Sequence, residues 1–393
     1  MTKKFFIIAA EASGDVLGAK LIAQIKRQLE QQNEKYELVG VGGNLMQQQG
    51  LRSIFSINDL SVMGVFEVAL HIPKLLARIR QTAQEIINFQ PDYVITIDAP
   101  DFNFRVMRKL KKISAKTFDK TKKIHLIAPS VWAYREGRSK KVAQIYDLLL
   151  AILPFEPPYF TKHGLRTVFI GHPIVELKPD LARKPIIAVE FRQKHKIKNG
   201  DIILCVTPGS RNSEVKKIFP EFIAAINLLQ QKYSNLTVAI PLVEKTEQLV
   251  KSMVNDVKAN YVLVSANDKV SCFFASNYAL AKSGTNTVEL SLYQIPMIVA
   301  YRFNYLTGVL AKLLLKIKFA NLINIILNRQ VIPELIQENC TTQKIFVALD
   351  ELISNQNQAK MQIEESKIAL DMMGMSSDES ASAKAAREIL KLN

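Results

Sequence analysis

At 393 residues the chain is too long for one comfortable core and suits two domains, and 48% hydrophobic with 22% charged residues is globular composition, not disorder. A net charge of +16 asks for an acidic partner, but no zinc finger, RNP-like pattern, helix–turn–helix or long Lys/Arg tract speaks for nucleic acid. The three cysteines, Cys205, Cys272 and Cys340, lie far apart without metal-ligand spacing, which argues against a disulfide framework or a zinc site and fits a reducing compartment.

The first apolar run, Phe5 to Ala10, ends at Glu11 after six residues, too short for the core of a signal peptide. It reads as a buried strand over Lys4–Ala9, followed by a turn and a helix from Val16 to about Gln31. Further strands are expected over Tyr36–Val41, Tyr93–Ile97, Ile124–Ile127, Leu148–Ile152 and Val168–Ile170. Their apolar runs are continuous, as in strands buried on both faces, and helical patterns separate them. From Glu176 to Gly200 the chain turns polar, with Pro179 and Pro185, and a domain junction is expected there. The pattern then restarts with strands over Ile202–Val206, Leu236–Ile240, Tyr261–Val264, Tyr278–Leu280 and Met297–Ala300. The expectation is an α/β chain of two doubly wound, Rossmann-like domains facing a cleft, spanning 1–178 and 179–350. A helical tail at 351–393 packs back on a neighbouring domain. No run of 18 uncharged apolar residues would span a bilayer.

Nearly every motif with chemical potential follows an expected strand, where ligands bind in such sheets. Ser13-Gly14-Asp15 either forms a helix mouth for an anionic or hydroxylated ligand or simply caps the helix. Asp98, in Asp98-Ala99-Pro100-Asp101-Phe102-Asn103, stands where a general base would stand, and Asp101 or Asn103 is a candidate cap for the next helix. Trp132 either lines a sugar or acyl site or packs internally. His172 either shuttles a proton, bonds a phosphate or fixes a turn. Pro208-Gly209-Ser210-Arg211 combines glycine, a helix mouth and an arginine, which suits a diphosphate leaving group. Lys282-Ser283-Gly284-Thr285 with Glu289 one turn inside the helix suits nucleotide phosphates and a ribose diol. No third ligand joins Asp98 and Asp101, so no metal site and no cofactor is expected. Two apolar segments with interspersed charge, Val62–Leu76 and Leu306–Lys318, are candidates for an anionic membrane surface.

Taken in order, these motifs, with Val62-Met63-Gly64, Gly171-His172-Pro173 and the stretch from Asn324 to Gln337, resemble the lipid-A-disaccharide synthase family from about Phe6 to Cys340. The resemblance implies a two-Rossmann-domain (GT-B) inverting glycosyltransferase that uses no metal. It implies a UDP-2,3-diacylglucosamine donor and a 2,3-diacylglucosamine 1-phosphate acceptor, and work at the cytoplasmic face of an anionic inner membrane; a homodimer is compatible with it. It assigns Asp98 as base and Arg211, Ser283, Gly284, Thr285, Glu289, Asn324 and Arg329 to the UDP side. Ser13, Gly14, Asp15, Trp132 and His172 fall to the acceptor side or to support, and Phe66, Leu70 and Leu75 to the membrane. Ala10, Tyr134 and Glu176 depart from the family's frequent Gly, Trp and Asp. The alternatives are another nucleotide-sugar enzyme of this architecture, such as a 2-epimerase, or a non-catalytic basic binding protein.

Overall fold

The computed structural model describes residues 2–60, 65–302 and 318–392, and of residues 65–71 the backbone only. The chain divides into two units: one runs through Glu176 and takes in Ser376 onwards, the other is Leu177–Met375.

In the first unit the strands are β1 (Lys3–Ala9), β2 (Tyr36–Val41), β3 (Arg52–Ser53), β4 (Tyr93–Ile97), β5 (Lys122–Leu126), β6 (Leu148–Ala151) and β7 (Arg166–Phe169). They form one parallel sheet in the order β3-β2-β1-β4-β5-β6-β7. The period-2 pleat explains the unbroken apolar run of β1. Phe5, Ile7 and Ala9 pack with Leu21, Ile22 and Ile25 of the helix Ala12–Gln31, while Phe6 and Ile8 pack with Ile79, Ala83 and Ile86 of the helix Val65–Phe89. Both faces are covered, so both sets must be apolar.

The second unit repeats the plan with β8 (Ile202–Thr207), β9 (Leu236–Pro241), β10 (Asn260–Val264), β11 (Tyr278–Lys282), β12 (Met297–Tyr301) and β13 (Glu334–Ile336). These too are parallel, in the order β10-β9-β8-β11-β12-β13. In each sheet the order reverses once, between β1 and β4 and between β8 and β11. The connections leaving the paired strands there diverge to opposite faces and open a crevice past their carboxyl ends.

Four features differ from the sequence reading. Strands β3 and β13 are two and three residues long, too short for a periodic signal. The polar stretch taken as a junction contains the helix Lys184–Lys194, whose Ile186 and Val189 are exposed and whose Phe191 alone is buried, so it carries no amphipathic stripe. The division falls at Glu176/Leu177. The tail is split: Thr342–Ser354 and Gln356–Met372 belong to the second unit, whereas Ala381–Leu390 lays Ala381, Ala385, Ala386 and Ile389 against the first helix of the first unit. Alanine on the contacting face permits close helix approach but looks compositionally like a polar tail.

Candidate active site residues in the two units

The chain leaves β4 through two consecutive left-handed residues, Asp98 (φ 48°) and Ala99 (φ 40°), and leaves β5 through Ile127 (φ 75°). Non-glycine residues avoid this region, a β-branched one most of all, so three together mark backbone held under strain. The holding group is Asn103, fully buried, whose Nδ2 donates to the carbonyls of Ile97 (3.1 Å) and Asp98 (2.7 Å). The Asp98 amide in turn donates to Leu126 O at 2.9 Å. Asn103 therefore braces the turn instead of capping the helix Pro100–Ile113, whose cap position is Ala99. The turn delivers Asp98 to a cavity of about 190 Å³ shared with Ile127, Ser130, Tyr134 and Arg138.

Trp132 is half-buried; its indole N–H donates to Glu156 Oε1 at 3.3 Å and its ring meets Phe155 edge-on. Glu156 is almost wholly buried and accepts two further N–H groups, from Ile152 and Leu153. Burial outweighs these donors and pushes its pKa up to about 7. His172 is buried too, its Nδ1 accepting the Ile174 amide at 3.2 Å, which leaves the ring proton on Nε2. Burial lowers its pKa to about 4, so near neutrality it is an uncharged brace for the turn after β7, poorly matched to proton shuttling.

Asp15 is not a free ligand. Its buried carboxylate accepts the amides of Gly43 (2.8 Å), Leu45 (3.1 Å) and Met46 (3.1 Å), capping the short helix Asn44–Gln48 from a neighbouring element. It borders a polar cavity of about 500 Å³ together with Gly43, Asn44 and Ser53. Ser13 is exposed on the first turn of its helix; Gly14 lies close against β1, where a Cβ would lie 3.2 Å from that of Ala9.

In the second unit, Gly209 has φ +130°, and a Cβ would come within 3.0 Å of Glu214 Oε2. Glu214 is buried and draws in two cations, Arg211 Nη1 at 2.9 Å and Lys282 Nζ at 3.3 Å. One carboxylate thus fixes two cations, one from the end of β8 and one from the end of β11, with net positive charge left over. Gly284 and Thr285 are exposed at the mouth of the helix Thr285–Leu292, which no side chain caps, and the first amides of a helix have no partner within it. Ser283 Oγ donates to Ala320 O at 2.9 Å, tying this mouth to the next loop, and Glu289 is paired with Lys269 at 2.6 Å. Arg329 is paired with Glu365. Asn324, expected on the UDP side, is fully buried: its Nδ2 donates to Ile332 O and Glu334, and its Oδ1 accepts the amides of Val331 and Ile332. Every polar atom is spent, so Asn324 shapes the loop that carries Arg329.

Of the proposed membrane residues, Leu75 is half-buried against the core, while the side chains of Phe66 and Leu70 lie outside the described residues, as does the segment 306–317. Among the described residues no group of three His, Cys, Asp or Glu could hold a metal ion, and no helix is long and apolar enough to cross a membrane. Sequence reasoning missed Asn103 as a brace, Glu156, Arg138, and Lys282 as a partner of Arg211. Only Lys282 left a signal, as the residue preceding the Ser283 loop.

Residues 5–389 match the family model described as lipid-A-disaccharide synthetase. The lipid-A-disaccharide synthase of Rickettsia prowazekii is 41% identical over 98% of this chain and 98% of its own, and that of Rhodospirillum centenum 40% over 91% and 87%. Among solved structures, the UDP-GlcNAc 2-epimerase of Neisseria meningitidis bound to UDP-GlcNAc superposes with TM-score 0.61 at 13% identity, covering 99% of each chain. A glycosyltransferase of Rickettsia africae gives TM-score 0.56 at 13% identity over 100% of this chain and 99% of its own. At such identities the structures speak for the fold alone.

Proposed function

The chain belongs to the lipid-A-disaccharide synthase family of glycosyltransferases, and from that premise we propose the reaction in its full form. It transfers 2,3-diacylglucosamine from UDP-2,3-diacylglucosamine to the 6-hydroxyl of 2,3-diacylglucosamine 1-phosphate, giving UDP and a β-1,6-linked disaccharide 1-phosphate. Asp98 takes the hydroxyl proton as the new C–O bond forms, and a single displacement inverts the anomeric carbon. The bond to UDP breaks in the same step, and its negative charge is taken up by Arg211, Lys282 and the amides at the Gly284–Thr285 mouth. Glu289 is assigned to the ribose diol and Arg329 to the diphosphate side.

The observation that carries this reading is the strained exit of β4: a carboxylate braced in an unfavourable backbone conformation at the mouth of a cavity is a placement that packing alone does not require. Peripheral binding to an anionic membrane surface at the cytoplasmic face is part of the proposal, supported by net charge +16 and the exposed Ile72 and Leu76 of the helix Val65–Phe89. A homodimer is also proposed, to be read by sedimentation.

The deciding experiment incubates purified protein with both substrates and looks by mass spectrometry for UDP and disaccharide in equal amounts. Release of UDP alone, or conversion of a UDP-sugar to its epimer, would overturn the assignment.

A further inference from the structure

The cavity at Asp98 contains a second charged side chain, and we propose that this residue, Arg138, binds the phosphate of the acceptor sugar. The inference rests on the proposed reaction, since it concerns an acceptor that carries its nucleophile and its phosphate at opposite ends of one ring.

The chemistry sets a requirement. A phosphorylated sugar that offers a hydroxyl to Asp98 brings a dianion within a ring's length of that carboxylate. The two repel unless a cation meets the phosphate. The cavity, at about 190 Å³, is on the scale of a single ring, and among the described residues Asp98 and Arg138 are the only charged side chains that line it. Guanidinium is well suited to the task, because its planar donors grip two phosphate oxygens at once.

Arg138 is also held ready. It opens the helix Arg138–Ala143, its amide donating to Arg135 O at 2.8 Å. The next residue, Ser139, is fully buried, and its hydroxyl donates to Glu136 O at 2.6 Å. The backbone beneath the arginine is therefore anchored while a third of its side chain stays exposed. Its carboxylate neighbour is Asp101, 3.5 Å away and 86% exposed. So loose and solvated a pair is readily exchanged for a phosphate.

The test compares acceptors with and without the 1-phosphate, in parent and variants. Arg138→Gln is expected to raise KM for the phosphorylated acceptor roughly 10–100-fold, the worth of a lost charge-assisted pair, with KM for the donor within about twofold. The parent's preference for the phosphorylated acceptor is expected to collapse toward unity, and Arg138→Lys to restore part of it. Asp101→Asn, which removes the competing carboxylate, is expected to lower the same KM by about two- to threefold. Equal losses on both acceptors, or a shift confined to the donor, would overturn the proposal while leaving the reaction standing. If the parent makes no disaccharide, the reaction itself is wrong. Titration of parent and Arg138→Gln with glucosamine 1-phosphate then decides the phosphate site: equal affinity, or none in either, overturns it.

Discussion

Asp98 and Glu156 show how differently two carboxylates behave in one sheet. Asp98 lies past a strand end, braced by Asn103, and the task proposed for it is proton transfer. Asp98→Asn preserves the shape and removes the base, so turnover is expected to fall by roughly 10²–10⁴ while donor affinity holds. Near-parental turnover in a folded variant would return the base role to another residue. Glu156 is buried, and its pKa of about 7 lies above the ordinary 4.5. A raised folded pKa means the folded state binds the extra proton, so the stability this group contributes is full below about pH 4.5 and is lost as pH rises through 7. Trp132, the sole tryptophan, donates its indole N–H to this carboxylate. Its emission is therefore expected to titrate with a midpoint near 7, and Glu156→Gln to abolish the titration. An unchanged curve in that variant would separate the indole from the carboxylate. His172 runs the other way: buried neutral with a pKa of about 4, it contributes stability above its unfolded pKa that is lost as pH falls from 6.5 toward 4.

Elements carry the second group of expectations. The loop between β8 and the helix Asn212–Lys232 turns at Gly209, where positive φ and the nearness of Glu214 both refuse a side chain. Gly209→Ala should cost on the order of 1–3 kcal/mol in chemical denaturation and, by displacing Glu214, weaken UDP binding, since Arg211 and Lys282 share that carboxylate. Unchanged UDP affinity would mean that the two cations do not serve the nucleotide. The helix Val65–Phe89 holds residues of two kinds side by side. Leu75 packs on the core, whereas Ile72 and Leu76 stand in solvent. Leu75→Ser should therefore lower the melting temperature, while Ile72→Ser with Leu76→Ser should leave it near parental and weaken salt-resistant co-sedimentation with anionic vesicles. Sedimentation that survives the double change would move the membrane contact off this face.

At the scale of the molecule, the last helix belongs to the first unit although the preceding residues belong to the second. It buries Ala385, Ala386 and Ile389 beside Leu21 and Ile25, and Glu388 pairs with Arg166 at 2.7 Å. One fully buried Ile is worth about 1.5–3 kcal/mol, so a chain ending at Met375 should lose at least that much of the first unit's stability and keep that of the second. Calorimetry of the shortened chain would show one transition lowered or lost and one retained; an unchanged profile would make the helix dispensable.

Much of this protein was legible in the order of its residues. Buried parallel strands require unbroken apolar runs such as Phe5–Ile8 and Ile203–Val206, and helix mouths require glycine and small polar residues such as Ser283-Gly284-Thr285. These demands act within about ten residues, so they are written locally, and Asp98 and Arg211 could be picked out by standing just beyond a strand. What a polar side chain does once it is there is settled by neighbours far along the chain. Asp15 looks like a cap for its own helix but holds the amides of Gly43, Leu45 and Met46, and the side chain of Asn324 is spent on Val331, Ile332 and Glu334. Glu156 and Arg138 carry no local mark at all. A buried carboxylate's pKa and an arginine's cavity come from desolvation and from which loops the sheet gathers at one end, and only the tertiary structure decides those.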